Sequence, residues 1–148
     1  MRAELQPLLR EFSAFERLSE PDLASLVEAC RELHVRAGER VIEEGAVDGD
    51  VMLLLRGRLS VVKSGAPEPL AQLGPGAVVG LLAPVLGHPR SASVVATERS
   101  QIAVLRATSI ELLSLSHAPV GLALQSAIVS QLLDDFVAQQ RAYAERSG

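Results

Sequence analysis

Apolar residues recur at three- and four-residue spacing from the start of the chain. Leu5, Leu8, Leu9, Phe12 and Phe15 make one such stripe, which predicts a helix. Ser19-Glu20-Pro21-Asp22 reads as the start of a second. Ser19 can cap it, Pro21 suits its first turn, and Asp22 suits the positive end of the helix dipole. Leu23, Leu26, Val27 and Cys30 then continue on one face.

From Glu32 to about Leu105 the period changes. Short apolar runs alternate with turn residues: Val41-Ile42, Val51 to Leu55, Leu59 to Val62, Leu70 to Leu73, Ser93 to Ala96 and Gln101 to Leu105. Short strands with frequent glycine turns predict an antiparallel barrel or sandwich, and no helical stretch separates them as a parallel sheet would need. After Leu105 the helical period returns. Thr108 is a candidate cap for a short helix through Ile110, Leu112 and Leu113, and Pro119 opens a long one. At about 1.5 Å per residue, about 25 helical residues span nearly 40 Å, more than a compact domain of this size needs. Part of that helix is therefore expected to project or to pair with another. The expected architecture is one mainly β domain with flanking helices. Its N-terminal helices occupy 1–33, a small jelly-roll β-barrel occupies 34–107, and C-terminal helices occupy 108–148.

Composition narrows the function classes. The 148 residues are 22% charged and 48% apolar, a globular balance that can bury a substantial core. A net charge of -4 lacks the basic footprint of a nucleic-acid binder. The charge-free stretch from Gly74 to Pro89 is broken by Pro75, Pro84 and four glycines, so it predicts no membrane span. The N-terminus carries no apolar signal run. A single cysteine, Cys30, excludes an internal disulfide and a cysteine-built metal site, and leaves a reducing cytoplasm as the expected compartment. His34, His88 and His117 are far apart, and no nucleophile–base order or phosphate-loop motif is present, so no enzyme is expected.

The glycines carry the sharpest signal. Ala37-Gly38 through Gly45 is a strand between glycines, and Leu53-Leu54-Leu55-Arg56-Gly57-Arg58-Leu59-Ser60-Val61-Val62 is a hairpin. Leu73-Gly74-Pro75-Gly76, Val79-Gly80-Leu81-Leu82-Ala83 and Pro89-Arg90-Ser91-Ala92-Ser93-Val94 follow in order. Taken together these resemble the cyclic-nucleotide-binding domains of the bacterial catabolite activator and of cyclic-AMP-dependent kinase regulatory subunits, from about Leu8 to about Phe136.

That resemblance implies a phosphate-binding cassette for cyclic AMP or cyclic GMP. Gly80, Leu82 and Ala83 match its backbone amide donors. Arg90 matches the arginine that grips the phosphate, and Ser91 the small residue after it. Amides at a helix start and a forked guanidinium are both suited to anions. Leu81 departs from the family, which places a ribose-binding glutamate there. A lost hydrogen bond to a charged group is worth about 1.5–3 kcal/mol, or roughly 10- to 100-fold in affinity. Two readings stay open: an altered or weak ligand held by Arg90 and the amides, or a vestigial site with Leu81 in an apolar plug. Arg90 can also pair with an acidic neighbour instead of a ligand.

The resemblance further implies that the last helix lies over the pocket, with Ser130 and Asp134 as base contacts. It implies homodimerisation through Leu122, Val129, Leu132, Phe136 and Tyr143. Ligand in the cassette would then move this helix. The family's transcription factors add a DNA-binding motif after it, and with the chain ending at Gly148 none is expected. The function expected is non-catalytic regulation with weak, altered or lost nucleotide binding. The alternative is a scaffold that docks a protein partner with its site empty.

Overall fold

The computed structural model describes residues 4–80 and 87–147. The first apolar stripe becomes two elements, a helix α1 (Leu5–Arg10) and a 3-10 turn (Ser13–Phe15). Phe12 between them is extended, so the single helix expected there is broken. Leu5, Leu9, Phe12 and Phe15 are nevertheless all buried, which is why the stripe reads as continuous. Arg10 stabilises the turn. Its guanidinium donates to the carbonyls of Phe15, Glu16 and Leu18 and pairs with Glu20 at 2.8 Å. Helix α2 (Glu20–Ala29) starts as its sequence predicts, with the Asp22 amide donating to the Ser19 hydroxyl at 3.2 Å and Pro21 in the first turn.

Among the described residues eight strands follow: β1 (Arg31–Val35), β2 (Arg40–Ile42), β3 (Val51–Arg56), β4 (Leu59–Val62), β5 (Ala71–Leu73), β6 (Val78–Val79), β7 (Ser93–Ala96) and β8 (Ser100–Leu105). They form two four-stranded antiparallel sheets, ordered β1-β8-β3-β6 and β2-β7-β4-β5, in a jelly-roll arrangement. Strands β1 and β6 escape the apolar-run reading. β1 is an edge strand with only Val35 fully buried, and β6 is two residues long. The β region consequently runs from 31 to 105 rather than 34 to 107, because α2 passes into β1 through Cys30 alone.

Two cores share the first sheet. Met52, Leu54, Ile102 and Val104 face Leu59 and Val94 of the second sheet. Val51, Leu53, Leu55, Ala103 and Leu105 face the helices, against Leu9, Phe15 and Leu26. Strand β3 is thus apolar at every position from Val51 to Leu55 because both its faces are covered.

Two helices complete the chain, α3 (Ala107–Ser116) and α4 (Ala118–Ser147). The start of α3 corrects the capping expectation. Thr108 lies inside the helix and Arg106 holds the cap position without a side-chain bond. Helix α4 has 30 residues, starts one position before Pro119, and is about 45 Å long. A Cβ on Gly121 would meet the Ser114 hydroxyl at 2.8 Å, so glycine lets α4 close onto α3. His117, between these helices, lies 3.0 Å from the Asp22 carboxylate and ties their junction to α2. Among the described residues no helix is long and apolar enough to cross a membrane.

Candidate functional site

The chain between β2 and β3 wraps around Arg90, which lies just before β7. The Gly45 amide donates to the Arg90 carbonyl at 2.8 Å, and the Arg90 amide donates to the Ala46 carbonyl at 2.8 Å. This two-bond clamp sets the direction of the side chain, and the residue is only 4% exposed. Its guanidinium makes four hydrogen bonds within the chain among the described residues. Nη2 donates to Asp48 Oδ1 at 2.5 Å and to the Asp50 carbonyl at 2.6 Å. Nη1 donates to the Gly80 carbonyl at 2.8 Å, and Nε reaches Asp48 Oδ2 at 3.5 Å. The fork therefore faces a carboxylate, the geometry it shares with phosphate recognition. Hydrogen bonding from Arg90 holds the Asp48 carboxyl below its ordinary value, against the opposing effect of its partial burial.

Gly80 is needed here for two reasons. Its φ is +94°, and a Cβ would lie 2.8 Å from Arg90 Nη1 and 2.9 Å from the Asp50 carbonyl. Gly80 and Arg90 are thus brought together, through the carbonyl of Gly80 rather than the amide considered from the sequence. Leu81, Leu82 and Ala83 lie outside the described residues. Ser91 is exposed, and its carbonyl accepts from Lys63 Nζ at 2.7 Å. Ser93, not singled out from the sequence, is buried instead, with its hydroxyl accepting from the Glu44 amide and from Arg40, both at 2.9 Å. Asp48 and Asp50 were not legible as site residues either. They lie 42 and 40 positions before Arg90 in the irregular Asp48-Gly49-Asp50 segment, and only the fold brings them to the guanidinium.

Ser130 and Asp134 are exposed on α4 and line a cavity of about 450 Å³ with Ser13 and Ala77. Among its described lining residues, none is Arg90, Gly80 or Asp48. Of the five residues in the expected dimer seam, Leu122 is 63% and Val129 56% exposed. Leu132, Phe136 and Tyr143 fall on the same helix with side chains outside those described. Among the described residues no group of acidic, histidine or cysteine side chains is arranged to hold a metal. The chemistry on offer around Arg90 is anion exchange: an incoming anion would replace Asp48 on a guanidinium already desolvated.

Comparison with known proteins places the fold in a family. Residues 32–117 match the model of the cyclic nucleotide-binding domain. A cyclic nucleotide-gated potassium channel of Rhizobium etli is 30% identical over 107 residues, covering 72% of this chain and 29% of the channel, so the chain spans under a third of that relative. A cyclic nucleotide-binding domain from Methylobacillus flagellatus superposes with a TM-score of 0.73 at 23% identity, covering 97% of this chain and 80% of that one. The regulatory subunit of a cAMP-independent protein kinase A from Trypanosoma brucei also gives 0.73 at 23% identity, covering 85% of this chain and 45% of that one. The match over residues 32–117, with the jelly roll and flanking helices that frame it, establishes that the chain belongs to the cyclic nucleotide-binding domain family.

Proposed function

We propose that this domain is a non-catalytic regulatory module, working in the cytoplasm, whose cassette takes cyclic AMP or cyclic GMP weakly or not at all. The observation that carries this reading is the self-occupied guanidinium: Arg90 is buried and held by Asp48, Asp50 and Gly80. A cyclic phosphate must displace the Asp48 carboxylate, so it exchanges one charge-assisted pair for another and gains little. Leu81 supplies no acceptor for the ribose hydroxyl, which removes a second source of affinity. The Trypanosoma brucei protein, described as cAMP-independent, is a fold precedent for such a module. Where ligand does bind, freeing Asp48 loosens the 43–50 loop. A change in the position of α4 is then the output, driven by the differential affinity of its two positions.

Calorimetric titration with cyclic AMP and cyclic GMP tests this. The wild type is expected to bind at about millimolar levels or show no heat, and Leu81→Glu to tighten binding about 10- to 100-fold. Asp48→Asn is expected to tighten it as well, and Arg90→Ala to abolish it. Micromolar wild-type binding, or binding that survives Arg90→Ala, would overturn the reading. A second reading is favoured by the exposure of Leu122 and Val129: a scaffold in which a second copy, or a protein partner, covers α4. Silence toward nucleotide in every variant, together with self-association of the wild type, would select it.

A further inference from the structure

The cavity beside α4 has a chemistry of its own. It holds about 450 Å³, within the range of small-molecule sites. Three elements wall it: the 3-10 turn through Ser13, the start of β6 through Ala77 and Val78, and α4 through Ser126, Ser130 and Asp134. The α4 residues are spaced by four, so one helical face presents two hydroxyls and a carboxylate in a row. Among its described lining residues there is no Lys, Arg or His, and Asp134 has no ion-pair partner among the described residues. A phosphate or carboxylate ligand would meet a like charge here with nothing to offset it. The walls fit the opposite: an apolar body against Ala77 and Val78 and a cationic head on Asp134, with hydroxyls to take the remaining ammonium protons.

We propose that this cavity, whose described lining includes none of Arg90, Gly80 or Asp48, is a site for a small organic ammonium ion. Such a ligand would clamp α4 to the 3-10 turn and to β6. Strand β6 runs directly into Gly80, whose carbonyl holds Arg90, so occupancy would bias the cassette and α4 together.

The test is a titration followed by backbone amide shifts, using phenethylamine, the neutral 2-phenylethanol and the anionic phenylacetate as probes. Phenethylamine is expected to give saturable shifts at Ser13, Ala77, Ser126 and Ser130, with a dissociation constant of about 1 mM for so small a ligand. It is expected to bind about two- to fivefold tighter than the alcohol, with the anion weakest. Asp134→Asn, at an exposed position, should erase the preference for the amine over the alcohol. Ser130→Leu should fill the cavity and abolish binding of both, with Ser126→Leu as the second filling variant should the first unfold. No saturable shift up to about 10 mM, phenylacetate binding as well as the amine, shifts that map elsewhere, or a preference that survives Asp134→Asn would each overturn the proposal.

Discussion

A guanidinium removed from water must have its charge met and its N–H groups accepted, or the fold bears several kcal/mol of unpaired charge. Arg90 meets that condition through Asp48 and two carbonyls. The pair makes stability depend on pH in a defined direction. Arg90 lowers the Asp48 pKa in the folded state, so the stabilisation is complete above the unfolded value of about 3.9 and is lost as pH falls through the folded one. Asp48 is 43% exposed, so solvent screens part of the effect. Asp48→Asn is expected to destabilise by about 1–2 kcal/mol at pH 7. In urea titrations across pH, the gap to wild type should shrink as pH falls below the ordinary aspartate value of about 3.9 and close once Asp48 is protonated in the folded state. A gap independent of pH would mean that the charge pair is not its cause. From the sequence, Arg90 was legible because Pro89 and Ser91-Ala92-Ser93-Val94 frame it. Asp48 was not, since no local spacing links residues 42 positions apart.

Strand β3 shows what periodicity conveys at the scale of an element. An unbroken apolar run announces a strand buried on both sides, and successive side chains then enter different cores. Leu53 sits with the helices and Leu54 between the sheets, both with no exposed surface. Truncating either to alanine should cost about 2–5 kcal/mol in chemical denaturation. The side of the damage should differ. Leu53→Ala should speed amide exchange chiefly in α1 and α2, and Leu54→Ala chiefly in β4 and β7. Equal effects on all four elements would contradict the two-core arrangement. Edge strands were less legible for the same physical reason. β1 buries one side chain fully and β6 has two residues, so neither imprints a two-residue alternation. The first apolar stripe erred differently: burial on one side survives the break at Phe12, and periodicity reports burial rather than hydrogen bonding.

At the scale of the molecule, α4 is the element whose surface is least accounted for within the chain. Val120 and Leu124 anchor its start, while Leu122, Val129, Leu133 and Val137 remain exposed along the rest. These aliphatics at spacings of seven and four fit a seam for a second helix. The proposed self-association is checked by sedimentation: a wild-type dimer at about 100 μM, and a monomer when Leu122→Glu and Val129→Glu are combined. A monomeric wild type would remove the dimer and leave a different partner for this face. By itself, the sequence determined the order of helices, antiparallel strands and helices, the Ser19 cap, the apolar strand from Val51 to Leu55 and the candidacy of Arg90. Each of these is written in near neighbours, in period, turn residues or a short motif. Only the tertiary structure decided that Asp48 occupies Arg90, that Gly80 meets it through its carbonyl, and that Ser130 and Asp134 line a cavity with Ser13 and Ala77. Those outcomes depend on how loops and helices distant in the chain converge, and burial of a charge or the lining of a cavity is a property of that convergence rather than of any segment.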